Sequence, residues 1–249
     1  MKLNEFFSSN DKYAVAYSGG VDSSFLLYAA ISSGAKVQAY YVKSSFQPEF
    51  EYEDAMRTAE HLGITDRLTV MEADVLKQLD ITANTPERCY FCKKLIMGII
   101  SEQAKADGCN VILEGTNASD DIADRPGFKA LEEAGIRSPL REAGFTKAMI
   151  RQLSKNAGLP TWDKHSYSCL ATRIPHGTAI ETETLERIEK AEWYLFEQGF
   201  KDFRVRFDNG AAKLQINKDD YGLYLLKESE VMSRLKEFFS EAYLDEHRR

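Results

Sequence analysis

Short apolar runs alternate with helical periodicity over the first two thirds of the chain. Residues 13–17 (YAVAY) are apolar throughout, the pattern of a buried strand, and the glycine turn SGGVDSS leads from them into an apolar helix that ends near Gly34. VQAYYVK predicts a second strand. EYEDAMRTAEHLG places Ala55, Ala59 and Leu62 at helical spacing and stops at Gly63, and RLTVMEA predicts a third strand. ERCYFCKKLIMGIISEQAKADG predicts a long helix with Cys89 and Cys92 in its first turn. NVILEGT is a strand, and KAMIRQLSKNAGLP a helix stopped by Gly158 and Pro160. Strands alternating with helices indicate an α/β fold with a parallel sheet and helices on both faces.

The pattern changes after about residue 165. The loop HSYSCLATRIPHGTAI leads to the charged helix ETLERIEKAEWYLFEQG. Two alternating strands follow, FRVRF and AKLQI, joined by the hairpin turn DNGA, and a last helix is predicted from about Glu228. The expected organisation is a parallel α/β domain over 1–165 and a small α+β domain over 166–249, the latter for substrate binding or oligomerisation.

The loop Ser18-Gly19-Gly20-Val21-Asp22-Ser23 carries the first chemistry. Two glycines let backbone N–H groups approach an anion, and the helix start adds partial positive charge. Ser18 and Ser23 can donate to phosphate oxygens, and Asp22 can hold a Mg2+ that bridges phosphates. A plain glycine turn with a Ser or Asp cap is the alternative, outweighed by the whole six-residue string after a buried strand. No Lys-Ser/Thr pair follows the glycines, so this is not a Walker loop.

Composition narrows the rest. The formal charge of −7 tilts against a large nucleic-acid partner, so tRNA is not the expected substrate. No run approaches the roughly 20 apolar residues that cross a bilayer, and MKLNEFFSSNDK has no signal-peptide core, so no membrane partner and a cytoplasmic location are expected. Four cysteines are too few for a disulfide scaffold in a chain of 249 residues. Cys109, in DGCNVIL, is expected to be a packed core thiol. Cys89 and Cys92 can point from one helical turn. Cys169 lies in a Tyr/Ser-rich loop beside Arg173 and His176, either of which would lower its pKa on close approach. On spacing alone, a metal or redox pair and three unrelated cysteines both remain open.

SGGVDSS resembles the pyrophosphate-binding loop of the N-type ATP pyrophosphatases (the PP-loop superfamily, with the adenine nucleotide alpha hydrolase-like fold). RCYFCKK, EGTNASDD, DRPG, SPL, GLPTWDK and CLATRIPHG, in one order over about residues 10–215, resemble the LarE family, the sulfur transferases of nickel-pincer nucleotide biosynthesis. That resemblance implies an enzyme that uses ATP and Mg2+ to adenylate a carboxylate of a pyridinium biscarboxylate mononucleotide, releases pyrophosphate and inserts sulfur. It implies a small-molecule nucleotide substrate, sulfide or another sulfur donor, and a homo-oligomer.

The resemblance also implies roles. Cys169 and Asp22 would be catalytic. Ser18, Gly19, Gly20, Asp22, Ser23, Gly115, Thr116 and Asn117 would bind ATP. Asp124, Arg125, Arg173, Arg204, Arg206 and Glu192 would bind substrate, Arg204 and Arg206 receiving its phosphate from one strand face. Cys169 matches the family's sulfur-donating position, and Cys89 and Cys92 match the additional pair of the branch in which three thiolates hold a [4Fe-4S] cluster with one iron open. Gln215 departs from the family, which has an acidic residue there. The competing functions are an iron–sulfur tRNA thiolase of the same superfamily and a binding protein that senses AMP or ATP.

Overall fold

A computed structural model of the chain describes residues 3–7, 11–122 and 126–245. Its helices are α1 Leu3–Phe6, α2 Val21–Ser32, α3 Glu49–His61, α4 Leu79–Thr82, α5 Arg88–Ala106, α6 Pro126–Glu133, α7 Pro139–Glu142, α8 Lys147–Asn156, α9 Thr182–Glu197 and α10 Tyr221–Phe238. Its strands are β1 Lys12–Ala16, β2 Lys36–Lys43, β3 Leu68–Glu72, β4 Val111–Leu113, β5 Phe203–Asp208, β6 Ala211–Ile216 and β7 Ala242–Leu244. Among the described residues, no helix is long and apolar enough to cross a membrane.

The chain divides into two compact units. One comprises Met1–Ser44, Glu49–Val75 and Pro86–Ser166; the other comprises Ser45–Pro48, Leu76–Thr85 and Tyr167–Arg249. Segments 45–48 and 76–85, which the alternating pattern assigns to the first domain, thus group with the second unit.

The first unit is a parallel sheet in the order β3-β2-β1-β4. Alternation along its strands covers both faces. Tyr13, Val15 and Tyr17 of the β1 segment, with Val37, Ala39 and Tyr41 of β2, join one buried cluster with α2 residues Phe25, Leu26 and Leu27, α3 residues Ala55 and Ala59, and Ile150 of α8. The intervening Ala14 and Tyr40 are buried outside that cluster, and α5, which packs on β1 and β2, buries Met97, Ile100 and Ala104. Chain order reverses at β1, whose neighbours are β2 and β4. Loops leaving the carboxyl ends of β1 and β4 therefore diverge around a crevice, the place where open α/β sheets take ligands.

In the second unit β5 and β6 pair antiparallel across Asn209-Gly210, both at positive φ, as a two-residue hairpin turn requires. α9 packs on β5 and α10 on α9. Two features differ from the pattern reading. The last helix begins at Tyr221 rather than near Glu228; Asp220, just before it, accepts hydrogen bonds from the Lys201 and Asp202 amides (both 2.8 Å) and ties that start to the head of β5. The chain then adds β7, parallel to β6. Three residues are too few for periodicity to announce a strand.

Candidate active site

In the first unit the site is built by the loops after β1 and β4. Gly19 has φ +70°, and a Cβ there would lie 2.4 Å from the Ala55 Cβ, so only glycine lets the loop turn against α3. Gly20 is the N-cap of α2 and supplies no side-chain cap, which leaves the first amides of a 12-residue helix free for an anion. The hydroxyls close the loop on itself: Ser18 and Ser23 Oγ lie 3.0 Å apart, and the Ser18 amide donates to Ser23 Oγ (3.2 Å). Behind it, Tyr17 donates to the Ala55 carbonyl (2.8 Å), and burial pushes its phenol up to about 12.

The loop after β4 lies against the first. A Cβ at Gly115 would meet the Ser23 nitrogen at 3.0 Å and the Asp22 Cβ at 3.2 Å, so a side chain there would displace the start of α2. The buried Glu114 carboxylate holds the turn, accepting from the Thr116 amide (3.0 Å), the Thr116 hydroxyl (2.8 Å) and Ser138 Oγ. Asn117 is buried and points Nδ2 at Asp22 Oδ1 (3.4 Å), while its amide donates to Asp120 Oδ2 (3.0 Å).

Asp22 also pairs with Lys147, the first residue of α8, which the sequence reading missed. Burial lifts the Asp22 carboxyl above its ordinary value, and the hydrogen bond and charge of Lys147 pull it part of the way back. Its carboxylate is a hard oxygen donor of the kind Mg2+ takes. Asp124 and Arg125 lie outside the described residues.

Within the same unit Cys89 is exposed and Cys92 half-buried, both in the first two turns of α5. Cys109 is not the core thiol its apolar setting suggested. It is only partly buried, between α5 and β4, with Sγ 3.6 Å from the Tyr40 hydroxyl.

The second unit holds Cys169 at the N-cap of a 3₁₀ turn, Leu170–Arg173. Beneath that turn is a buried ionic knot. The Arg173 side chain is 0% exposed and meets Glu192, 1% exposed, with both ends of its fork (Nε to Oε1 2.8 Å, Nη2 to Oε2 3.0 Å). Arg173 Nη1 donates to the Ser168 carbonyl (2.9 Å), Ser168 Oγ (2.7 Å) and Thr172 Oγ1 (2.9 Å), which fixes both sides of Cys169. Glu192 further accepts from the Val205 amide (2.8 Å) and the Tyr167 hydroxyl. Burial disfavours the Arg173 charge, yet Glu192 more than offsets it and raises its pKa further. Tyr167, its own phenol raised by burial and then by Glu192, contacts through its ring the guanidinium groups of both Arg173 (4.5 Å) and Arg204 (5.0 Å).

Arg206 donates to Gln215 Oε1 (2.6 Å) and to the Thr172 carbonyl (2.8 Å), and Gln215 donates onward to Asp245 Oδ2 (2.6 Å). Gln215 therefore couples Arg206 to a buried carboxylate from the unforeseen end of β7. Asn84, at φ 53° and fully buried, points Nδ2 at the carbonyls of Ile174 (3.3 Å), Pro175 (2.8 Å) and Thr178 (2.9 Å), and its own carbonyl meets the Gly177 amide (3.0 Å). The stretch before Cys89 is thus fastened to the loop after Cys169. Among the described residues, no three or more His, Cys, Asp or Glu side chains are grouped to hold a metal ion.

The asparagine synthase family model matches residues 6–198, which include the phosphate loop, the loop after β4 and the Arg173–Glu192 pair. The chain belongs to that family, within the N-type ATP pyrophosphatases. A protein of Synechocystis described as uncharacterised is 38% identical, covering 86% of this chain and 80% of its own. The pyridinium-3,5-bisthiocarboxylic acid mononucleotide synthase of Lactiplantibacillus plantarum is 33% identical over 90% of this chain and 82% of its own. An uncharacterised protein of Methanocaldococcus jannaschii is 30% identical over 95% and 89%. The family member is therefore a relative of the LarE-like synthases.

Proposed function

We propose that this protein is an ATP-dependent sulfur transferase that acts on a carboxylate of a pyridinium biscarboxylate mononucleotide. The observation that carries the reading is an open helix N-terminus beside the half-buried Asp22 carboxylate at the sheet's switch point, in a chain similar over most of its length to a bisthiocarboxylic acid mononucleotide synthase. A carboxylate oxygen of the acceptor attacks the α-phosphorus of ATP, and pyrophosphate leaves. A sulfur nucleophile then forms a bond to the acyl carbon, AMP leaves with the former carboxylate oxygen, and a thiocarboxylate remains. AMP is the better leaving group, which is why activation precedes sulfur insertion.

Gly19, Gly20, Ser18 and Ser23 form the pyrophosphate cradle, and Gly115, Thr116 and Asn117 border the nucleotide. Asp22 would hold Mg2+, which neutralises phosphate charge when bound. Arg204 and Arg206 carry the acceptor's phosphate, with Asp124 and Arg125 as further contacts in this proposal.

Cys169 is the sulfur-handling residue. Its loop is held on both sides by Arg173, which positions the thiol rather than touching the reacting atoms. Cys89 and Cys92 are proposed to join it as ligands of a [4Fe-4S] cluster, whose open iron would carry an extra sulfide.

Anaerobic turnover with sulfide tests the reading. The expected products are AMP, pyrophosphate and a thiocarboxylate, over many cycles, with loss of visible absorption in Cys89→Ala, Cys92→Ala and Cys169→Ala but not Cys109→Ala. A single cycle with loss of about one H₂S from Cys169, and with Cys89 and Cys92 dispensable, replaces the cluster by a sacrificial cysteine. Release of ADP and phosphate instead of AMP and pyrophosphate overturns the proposed activity itself.

A further inference from the structure

The pairing of Lys147 with Asp22 has the geometry of a mask over the proposed metal ligand. Lys147 opens α8, where Thr146 is the N-cap, its Oγ1 accepting from the Met149 amide (3.3 Å), and the Lys147 amide itself donates to Ser119 Oγ (3.0 Å). The backbone is therefore fixed, and the flexible part is the lysine stem. A lysine in the first turn sits at the positive end of the helix dipole, where it weakens its own helix. The position makes physical sense if its ammonium serves the anion site next to it.

Exposure agrees with a movable group. The Lys147 side chain is 37% exposed and the Asp22 side chain 21%. Other charges also face Asp22: Asp120 from the loop after β4, and Arg151 one turn along α8 from Lys147. Arg151 is held elsewhere, with Nη1 on the Trp162 carbonyl and Nη2 on the Lys164 carbonyl (both 2.7 Å). Among the described residues, Lys147 is thus the cation in hydrogen-bond contact with Asp22 that can change partner. Its ammonium takes Asp22 Oδ2 while Asn117 Nδ2 faces Oδ1, so a divalent cation reaching this carboxylate would have to displace a partner and would be repelled by the ammonium a few ångströms away. Phosphate oxygens in the adjoining cradle would offer the ammonium an alternative anion.

We propose that Lys147 masks Asp22 in the nucleotide-free protein and transfers to phosphate oxygens when nucleotide binds, so that a divalent cation binds Asp22 tightly only together with nucleotide. The inference rests on the reading above in which Asp22 is the metal ligand. It adds a coupling: metal binding without nucleotide is weakened, and nucleotide binding releases the ligand.

Mn2+ binding to the full chain, followed by the electron paramagnetic resonance of the free ion, separates the possibilities without turnover. Wild-type protein with Mn2+ alone should bind weakly, and addition of α,β-methylene ATP should tighten the metal at least tenfold. Lys147→Met should bind Mn2+ alone at least tenfold more tightly than wild type, and Asp22→Asn in the Lys147→Met background should abolish that gain. Lys147→Gln provides a second variant of similar length, and thermal unfolding checks that each is folded. Equal Mn2+ affinity in wild type, Lys147→Met and Lys147→Gln without nucleotide overturns the mask while leaving the phosphate loop's assignment standing. Unchanged Mn2+ affinity in Asp22→Asn with the ATP analogue present removes Asp22 as metal ligand, and the mask with it.

Discussion

Replacement of Glu192 by leucine should be among the most destabilising single changes in the second unit. It leaves the fully buried Arg173 guanidinium with carbonyl and hydroxyl acceptors only, and removes the acceptor of the Val205 amide and the Tyr167 hydroxyl. Removing one partner of a buried ion pair typically costs about 3–5 kcal/mol, because the other charge stays buried and unpaired. The double change Arg173→Met with Glu192→Leu removes both charges and replaces them with apolar volume, so its cost should fall well below the sum of the two single changes. Urea unfolding can read the second unit through Trp193 on α9 if Trp162, the other tryptophan, is changed to Phe in every variant. With an m-value of about 2 kcal/mol per molar urea, Glu192→Leu should lower the midpoint by roughly 2 M. If the two single changes prove small and strictly additive, the pair is not the ionic knot that holds the Cys169 loop.

Two further predictions concern other parts of the site. Asp22→Asn should abolish pyrophosphate release without lowering the melting temperature: its folded pKa is raised, so the charged form is carried at a cost above that pKa, and the cost disappears as pH falls through it. The pH profile of kcat/KM for wild-type pyrophosphate release, which reports the nucleotide-free enzyme, should accordingly lose activity on the acid side at a pH above the ordinary aspartate value of about 3.9; a profile flat down to that value contradicts the partial burial of Asp22. Asn84→Gly should lose the side-chain contacts to the 174–178 loop but keep the left-handed backbone, costing about 1–3 kcal/mol. Asn84→Ala should cost about 1 kcal/mol more, and equal melting temperatures for the two variants would show that the positive φ is not a constraint.

The first unit was legible because each of its signals is local. A continuous apolar run, two adjacent glycines and a helical stripe specify strand, turn and helix within about 20 residues, and the order of such segments specifies the parallel sheet. The ends of β1 and β4 could then be expected to face one ligand. Lys147 escaped because its pairing with Asp22 depends on where α8 lands; its one local trace is a lysine in a helix's first turn. Glu192 was open to a better reading. Leu185, Ile188, Glu192 and Leu195 follow one helical stripe, so an acid on the buried face of α9 was visible beforehand as one needing a partner. Nothing local identifies that partner as Arg173, nor couples Asn84 to the loop ending near Thr178, because those pairings are set by tertiary folding across large sequence separations. β7 and its Asp245 were hidden for a similar reason: a three-residue strand is defined by the edge of β6 it joins rather than by its own pattern.

The central claim, adenylation at the switch-point loops, is tested most directly by isotope exchange between radiolabelled pyrophosphate and ATP, without any sulfur donor. The account predicts label entering ATP only when the pyridinium biscarboxylate mononucleotide is present, and no label in Asp22→Asn. Absence of acceptor-dependent exchange in the wild-type protein, with ADP and phosphate formed instead, would contradict it.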